Sequence, residues 1–315
     1  MKYYAKLADE FLNSDISLTK MAEREFTTRQ TLAKYFKKIG VEIVNKQNTT
    51  KFNENIFDSI DTEEKAYWLG FIYADGTISS HKEGEKPKNT LEVSLKGDDI
   101  EHLKKFSIFL NSKKETKLSK SKCANKEYIR CRFSVSNKHL WETLNNYGCT
   151  PKKSLILTFP DENIFKDKSL IRHFIRGYFD GDGCISRNIS TYIVSPKISI
   201  IGTKSFLENI IKYSNIKCKF KHDKRHTEFT YGLEYHKEDG IQFINYLYNN
   251  ASVFLDRKYK LYEFFKNGSR SVEEFTELSQ TNIGESPEMD NTEISIETKE
   301  SIPSYSVETE PTNVE

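Results

Sequence analysis

The stretch Tyr67-Trp-Leu-Gly-Phe-Ile-Tyr-Ala-Asp-Gly76, followed by Thr77-Ile78-Ser79, decides the organisation of this 315-residue chain. A second copy runs Ile175-Arg-Gly-Tyr-Phe-Asp-Gly-Asp-Gly183 and continues as Cys184-Ile185-Ser186. With the first glycine of each copy aligned, the identical pairs are Gly70/Gly177, Asp75/Asp182, Gly76/Gly183, Ile78/Ile185 and Ser79/Ser186. A spacing of 107 residues is too long for a solenoid repeat, so the sequence predicts two similar half-domains in one chain.

Each copy is typical of a helix that ends in Asp-Gly. Small residues lie four positions apart on one face of each helix, and small side chains let two helix backbones approach closely. These interface residues are Gly70 and Ala74 in the first copy and Gly177 and Gly181 in the second. Gly76 and Gly183 follow the helix ends, where we expect a positive φ.

The two aspartates, Asp75 and Asp182, are predicted to occupy the last helical positions. A helix C-terminus favours cations, so an anion there is electrostatically unfavourable. If the two helices pair in parallel, both carboxylates come together and require a compensating cation, and hard oxygen ligands suit Mg²⁺. A single Asp-Gly is more often only a turn dipeptide. Two copies, each after a helix with paired small residues and before Ile-Ser, favour a shared metal site.

With these residues the chain resembles the LAGLIDADG homing endonucleases, in their single-chain, two-motif form. Residues 68–76 match the first motif and residues 175–183 the second, and the resemblance covers roughly residues 55–266. The first copy departs from the pattern where Tyr73 replaces the earlier acidic residue of the motif, which Asp180 keeps in the second. The resemblance implies an α+β fold of two pseudo-symmetric αββαββα halves. It also implies that Asp75 and Asp182 are catalytic residues that bind the metal.

A basic residue follows each half at a matching position. Thr150-Pro-Lys-Lys-Ser154 aligns with Leu255-Asp-Arg-Lys-Tyr259. In the family that the chain resembles, a basic residue from each half lies near the metals, which implies a catalytic role for Lys153 and Lys258. Lys152 and Arg257 are the neighbouring alternatives, and plain phosphate contact or surface charge is equally open.

Length and composition bound the class of protein. The chain can hold one large domain or two, and no apolar run approaches the 18 residues or so of a membrane span. No signal-peptide core is found near the N-terminus. The five cysteines are irregularly spaced, which favours reduced thiols in a cytoplasmic or nucleoid-associated protein, with a structural zinc site as the alternative.

Charge is distributed unevenly along the chain. The formal net charge is +2, but residues 1–267 hold 46 of the 48 basic residues and 34 of the 46 acidic ones, a net charge of +12. A basic body suits a polyanion such as double-stranded DNA, although solubility alone can also explain it. Residues 268–315 carry a net charge of −10 and few apolar residues, so we expect an acidic disordered tail.

Residues 1–45 are predicted to form a small helical domain that resembles a helix-turn-helix. Apolar stripes indicate three helices, and Thr27 or Thr28 caps the last of them. In a helix-turn-helix the start of the last helix enters the major groove, and Arg29, Gln30 and Lys34 are residue types that contact bases or phosphates. A generic three-helix bundle or a protein-binding module fits the same pattern.

After a linker over residues 46–60, the halves are predicted over residues 61–160 and 161–267. Each reads as helix, two strands, helix, two strands, helix, with alternating apolar and polar residues in the strands. The polar faces of two antiparallel sheets could lie in successive major grooves. The DNA-contact candidates on these strands and loops are Arg130, Arg132, Arg187, Lys224 and Arg225, with Lys96, Lys197, Lys219, Lys221 and His226 as further members of the same set.

Together these features predict a monomeric, site-specific double-strand DNA endonuclease that depends on Mg²⁺, with Mn²⁺ expected to substitute. If the resemblance holds, it cuts a long target and promotes the mobility of an intron or intein. Two alternatives stay open. One is a DNA-binding regulator that has lost cleavage, and the other is a maturase that binds intron RNA on the same fold.

Overall fold

The computed structural model describes residues 2–14, 16–41, 43, 51–80, 88–123, 126–190, 193–222 and 230–268. Several sequence predictions fall outside these ranges, including those for residues 46–50 of the linker, for nearly all of the acidic tail and for Lys224 and Arg225. The side chains of residues 121–126 and 187–193, Arg187 among them, also lie outside the described part. None of the described helices is long and apolar enough to cross a membrane.

Three helices form a small N-terminal unit: α1 (Lys2–Asn13), α2 (Leu18–Arg24) and α3 (Arg29–Lys38). The first turn of α3 is closed by Thr28, whose side-chain oxygen accepts a hydrogen bond from the Thr31 amide at 3.2 Å, as an N-cap should. The unit has its own core, which includes Leu7, Phe11, Met21, Leu32 and Phe36. The predicted three-helix unit is therefore present.

The first half contains α4 (Glu63–Asp75), β1 (Gly76–Ile78), β2 (Thr90–Lys96), α5 (Ile100–Phe109), β3 (Lys117–Cys123), β4 (Lys126–Ser136) and α6 (Lys138–Asn146). Its antiparallel sheet has the strand order β1-β2-β4-β3. Leu91, Val93 and Leu95 of β2 are buried and alternate with more exposed polar residues. This alternation gives the sheet one apolar face and one polar face.

The second half repeats the order with α7 (Ile171–Asp182), β5 (Gly183–Ser190), β6 (Ile193–Gly202), α8 (Lys204–Ser214), β7 (Lys219–His222), β8 (Tyr231–His236) and α9 (Lys237–Tyr248). Its sheet order, β5-β6-β8-β7, matches that of the first half. The predicted fold class of two αββαββα halves is confirmed. One further helix, α10 (Asp256–Lys266), follows and had no counterpart in the sequence prediction.

Helices α4 and α7 pair in parallel through their glycines. A methyl group on Gly70 would overlap the carbonyl oxygen of Phe174, and one on Gly177 would overlap that of Tyr67. Further along both helices, Gly181 lies against Ala74. Contacts that advance together along both helices require parallel axes, and the side chains around them form one core that is continuous across both halves. The predicted interface residues therefore lie at the contact between the two helices.

The prediction of a positive φ at the two helix ends is wrong. Gly76 has a φ of −78° and Gly183 a φ of −87°, both extended. Each helix passes directly into a strand, so no left-handed turn is needed. Space explains the glycines instead, because a Cβ atom would lie 2.6 Å from the carbonyl oxygen of Ile72 at the first position and of Phe179 at the second.

Candidate functional site

The two aspartates of the motifs lie next to each other at the ends of α4 and α7. Asp75 is the last residue of α4 and Asp182 the last residue of α7. A methyl group on Gly181, the neighbour of Asp182, would lie 2.9 Å from the Oδ2 atom of Asp75. Because the two helices run in parallel, each half contributes one carboxylate to a single place.

Both carboxylates are unfavourable as anions. Burial, followed by the negative charge of Asp182, raises the pKa of Asp75 to about 6, against the opposing effect of Lys258 and Lys153. Burial also raises the pKa of Asp182, although the Tyr178 hydroxyl and the same two lysines oppose the shift. No salt bridge reaches either carboxylate within the described ranges. A divalent cation would relieve both the burial cost and the mutual repulsion.

The protein would supply only some of the ligands of a bound cation, and these are oxygens. Among the residues that the structure describes, no group of three or more His, Cys, Asp or Glu side chains gathers in one place. The two carboxylates and nearby main-chain carbonyls are all oxygen donors, which suits Mg²⁺ or Mn²⁺. Mg²⁺ takes about six ligands, so waters and substrate oxygens would complete the shell.

The two predicted lysines both reach the helix ends that carry the aspartates. Lys153, 9% exposed, donates a hydrogen bond from Nζ to the carbonyl of Gly76. Lys258, 2% exposed, donates to the carbonyls of Phe179, Asp180 and Gly183. A cation at the carbonyl end of a helix is electrostatically favourable. The matching contacts with Gly76 and Gly183 agree with the predicted alignment of the two lysines, and their catalytic role stays a prediction.

Burial lowers the pKa of both lysines, and the two alternative residues, Lys152 and Arg257, are placed differently. Burial lowers the pKa of Lys258 to about 8 and also lowers that of Lys153. Arg257, one of the alternatives, pairs with Asp99 at 3.2 Å. Lys152 has a left-handed backbone with a φ of 58° and leads into the short turn that begins at Lys153.

The Tyr73 and Asp180 pair is the main difference between the halves. Asp180 is buried and accepts hydrogen bonds from the hydroxyls of Tyr67 and Tyr248 and from the main-chain amide of Leu255. Tyr73 instead donates its hydroxyl proton to the carbonyl oxygen of Tyr147. The two aligned residues thus serve different contacts.

The first sheet presents the predicted arginines on its polar face. Arg130 and Arg132 are exposed and alternate along β4 with the buried Cys131 and Phe133. In the register of the sheet, Lys96 lies beside Arg130, and Lys117 and Ser94 flank Arg132. Arg132 also pairs with Glu92 at 3.3 Å. A row of cations therefore crosses the face.

The second sheet has a hollow of about 550 Å³ on its polar face. Lys197 and Lys221, both in its lining, pair with Glu234 at 3.5 and 2.7 Å. This part of the face is therefore less cationic than the sequence suggested.

In the N-terminal unit, Arg29, Gln30 and Lys34 are all exposed on α3. This helix has the sequence RQTLAKYFKK, with basic residues and no acidic ones. The acidic Glu10 and Glu25 both pair with Arg24, which is the last residue of α2. The face of α3 therefore suits a polyanion.

The exposure of Phe26 was not predicted from the sequence. Phe26 lies between α2 and α3, is 98% exposed and has a φ of 50°, where glycine is usual after a helix. The available signal was an aromatic residue followed at once by Thr27 and Thr28, the residues predicted to cap the next helix.

No protein-family model and no curated protein matches the sequence. Three similar solved structures are the LAGLIDADG meganuclease I-AabMI bound to uncleaved DNA, the homing endonuclease I-WcaI bound to its DNA recognition sequence, and the LAGLIDADG homing endonuclease I-LtrWI bound to target DNA. Their sequence identities to this chain are 12%, 14% and 13%, with TM-scores of 0.45, 0.44 and 0.44. The alignments cover 70%, 70% and 72% of this chain and 98%, 88% and 97% of the three structures.

Proposed function

We propose that this protein is a metal-dependent, site-specific DNA endonuclease that cuts both strands of a long target, such as the insertion site of an intron or intein. One observation carries the proposal. Asp75 and Asp182 come from different halves and lie half-buried at the adjoining ends of two parallel helices, with a polar-faced sheet in each half. A duplex also has two strands related by approximate twofold symmetry, which two similar halves can match.

The aspartates and the lysines of the site would have separate roles. Asp75 and Asp182 would hold Mg²⁺ or Mn²⁺. When bound, the metal lowers the pKa of a water molecule and stabilises the attacking and leaving oxygens. Lys258, with a pKa of about 8, stays largely protonated at neutral pH and adds positive charge near a scissile phosphate. Lys153 would supply the corresponding charge in the first half.

DNA affinity would come from the basic body and recognition from the two sheets. Phosphate neutralisation gives affinity that is independent of sequence and falls with salt. Arg130 and Arg132 stand on a polar sheet face of the kind that a major groove admits. Arg29, Gln30 and Lys34 would add a further contact from the N-terminal unit.

The test uses the full chain and a duplex that spans the uninterrupted insertion site of its own gene. Wild-type protein is expected to make double-strand breaks with Mg²⁺ or Mn²⁺ and none with EDTA. Asp75→Asn and Asp182→Asn should each reduce cleavage at least about 100-fold, because each removes one of the two carboxylates that would hold the metal. Asp98→Asn, an exposed aspartate in the turn before α5, is the matched control and should cut normally.

Binding measurements with the same duplex and with the precursor RNA, beside the cleavage assay, separate the rival functions. Tight binding of the duplex without cleavage in any divalent metal would instead indicate a regulator. Metal-dependent cleavage that both aspartate variants retain would overturn the metal assignment. Binding to the precursor RNA in preference to the duplex would indicate a maturase.

A further inference from the structure

We infer that Asp180 is a positioning residue that holds the segment carrying Lys258 against the end of α7, and that its loss slows the cutting of one DNA strand more than the other. The inference rests on the proposed function. Both helices end in the same Asp-Gly pair, but Asp180 in α7 is aligned with Tyr73 in α4.

Asp180 joins three separate segments of the chain. Its carboxylate accepts the hydroxyl of Tyr67 at 2.7 Å, the hydroxyl of Tyr248 and the amide of Leu255 at 2.8 Å. Tyr67 belongs to α4 in the first half, Tyr248 ends α9, and Leu255 directly precedes α10. The carboxylate is 1% exposed, so every one of these bonds forms away from water, where an unpaired partner is costly.

The start of α10 is held to Asp180 at two points. The side chain of Asp180 binds the amide of Leu255, and the main-chain carbonyl of Asp180 accepts a hydrogen bond from Nζ of Lys258 at 2.9 Å. The amide of Lys258 in turn donates to the carbonyl of Leu255 at 3.0 Å, which closes the first turn of α10. The two contacts fix both the position of this turn and the direction in which Lys258 extends.

The first half lacks this arrangement. Tyr73 occupies the aligned position, and among the described residues its hydroxyl binds the carbonyl of Tyr147 alone. Lys153 extends from a single 3₁₀ turn, Lys153–Leu155, to the carbonyl of Gly76. Within the described residues, no carboxylate holds the segment that precedes Lys153. Removal of Asp180 should therefore loosen Lys258 and leave Lys153 in place.

A separate anchor should preserve the fold when Asp180 is changed. The fully buried Arg176 binds the carboxylate of Glu63 at 2.7 Å and the carbonyl of Val253 at 3.0 Å. Glu63 also accepts the amide of Ser252 at 2.7 Å. The connection between α9 and α10 is thus fixed to both halves without Asp180.

A strand bias follows from the pseudo-symmetry of the site. Lys153 lies at the end of α4 and Lys258 at the end of α7, and the scissile phosphates of the two strands are related by the approximate twofold axis of the duplex. Each phosphate then lies nearer one lysine. If Lys258 alone is displaced, one strand loses its nearby positive charge and the other keeps it.

The test measures the two strands separately in single-turnover reactions. The target duplex carries a different fluorescent label on each strand, and Asp180→Asn is compared with wild type in Mg²⁺. We expect the rate for one strand to fall at least about 10-fold more than the rate for the other, so that nicked duplex accumulates. Lys258→Met should slow the same strand.

Tyr73→Phe, which removes the hydroxyl at the aligned position of the first half, is the matched control and should leave the ratio of strand rates unchanged. Tyr248→Phe removes one hydrogen-bond donor to Asp180. It should slow the same strand relative to the other, by a smaller factor than Asp180→Asn does. If thermal melting shows that Asp180→Asn does not fold, Tyr248→Phe is used in its place.

Equal slowing of both strands by Asp180→Asn, or a ratio that remains that of wild type, would overturn the inference, since a purely structural role affects both strands alike. Wild-type protein that cuts neither strand would overturn the proposed function itself. Wild-type cutting of both strands with an unchanged ratio in the variants would overturn only the role of Asp180.

Discussion

The ends of α4 and α7 share their Asp-Gly sequence but are held in place differently. At the end of α4, Lys153 binds one carbonyl, and Tyr73 supplies one hydroxyl. At the end of α7, Lys258 binds three carbonyls, and Asp180 adds a buried carboxylate with three donors. The shared residues are those that the proposed cleavage would use, whereas the differing residues give each half its own set of hydrogen bonds.

The glycines of the helix interface should show the largest effect and no difference between the halves. Gly70→Ala and Gly177→Ala each place a methyl group onto a main-chain carbonyl that cannot move away as a flexible side chain could. We expect each to lower the free energy of unfolding by about 3 kcal/mol or more, measured by urea denaturation.

Gly232→Ala is the control for these changes, since a Cβ atom there would have its nearest neighbour at 3.8 Å. It should leave the free energy of unfolding nearly unchanged. If Gly70→Ala were as stable as this control, the close approach of the two helices would be wrong.

The pH dependence of stability should show the cost of the carboxylate pair. The pKa of Asp75 is about 6 in the folded protein, above its value of about 4 in the unfolded chain. The folded state therefore binds the extra proton between these values, and the free energy of unfolding falls as pH rises from 4 to 6. The loss is at most about 3 kcal/mol at 1.4 kcal/mol per pKa unit.

Asp75→Asn removes this titration and is the sharpest comparison. In EDTA, we expect the free energy of unfolding of wild type minus that of the variant to fall between pH 4 and pH 6 and to be constant above pH 7. Chemical denaturation at four pH values measures it. A difference that is independent of pH would contradict the raised pKa.

The two lysines should differ in their contribution to stability. Methionine keeps the length of the side chain and removes the ammonium group, so Lys258→Met removes one donor from each of three carbonyls and Lys153→Met removes one from a single carbonyl. We expect losses of about 2 and about 1 kcal/mol respectively in thermal unfolding. Equal losses would mean that the extra carbonyl contacts of Lys258 add nothing.

The smallest expected effect is that of Tyr73→Phe. This change removes only the hydrogen bond from the hydroxyl to the Tyr147 carbonyl and keeps the packed ring. It should cost about 1 kcal/mol. Asp180→Asn should cost more, since it disturbs three donors, and a smaller cost for Asp180→Asn would reverse the comparison between the two halves.

The parts of the fold that repeat locally could be predicted from the sequence. Period-two alternation predicted the strands, and the paired small residues predicted a close approach of the two helices, because both signals lie within about ten residues of chain. The position of Asp75 beside Asp182 was expected only if the two helices pair in parallel, as they do in the structure. The φ of Gly76 did not, since it depends on the strand that follows the helix and not on the turn that Asp-Gly usually indicates.

The contacts of Asp180 could not be predicted, because its partners are 68 to 113 residues away in the chain. Nothing local distinguishes a carboxylate that binds metal from one that binds tyrosine hydroxyls and an amide. Likewise, the exposure of Phe26 depends on where α2 ends, and helix ends are poorly defined by apolar spacing.

The most direct test of the shared site is to locate Mn²⁺ in crystals of the protein bound to its target duplex. An anomalous difference map shows where the metal lies, independent of any activity. We predict peaks between the carboxylates of Asp75 and Asp182 in wild type, and none there in Asp75→Asn. Mn²⁺ bound elsewhere, with both aspartates free of metal, would contradict a composite site shared between the two halves.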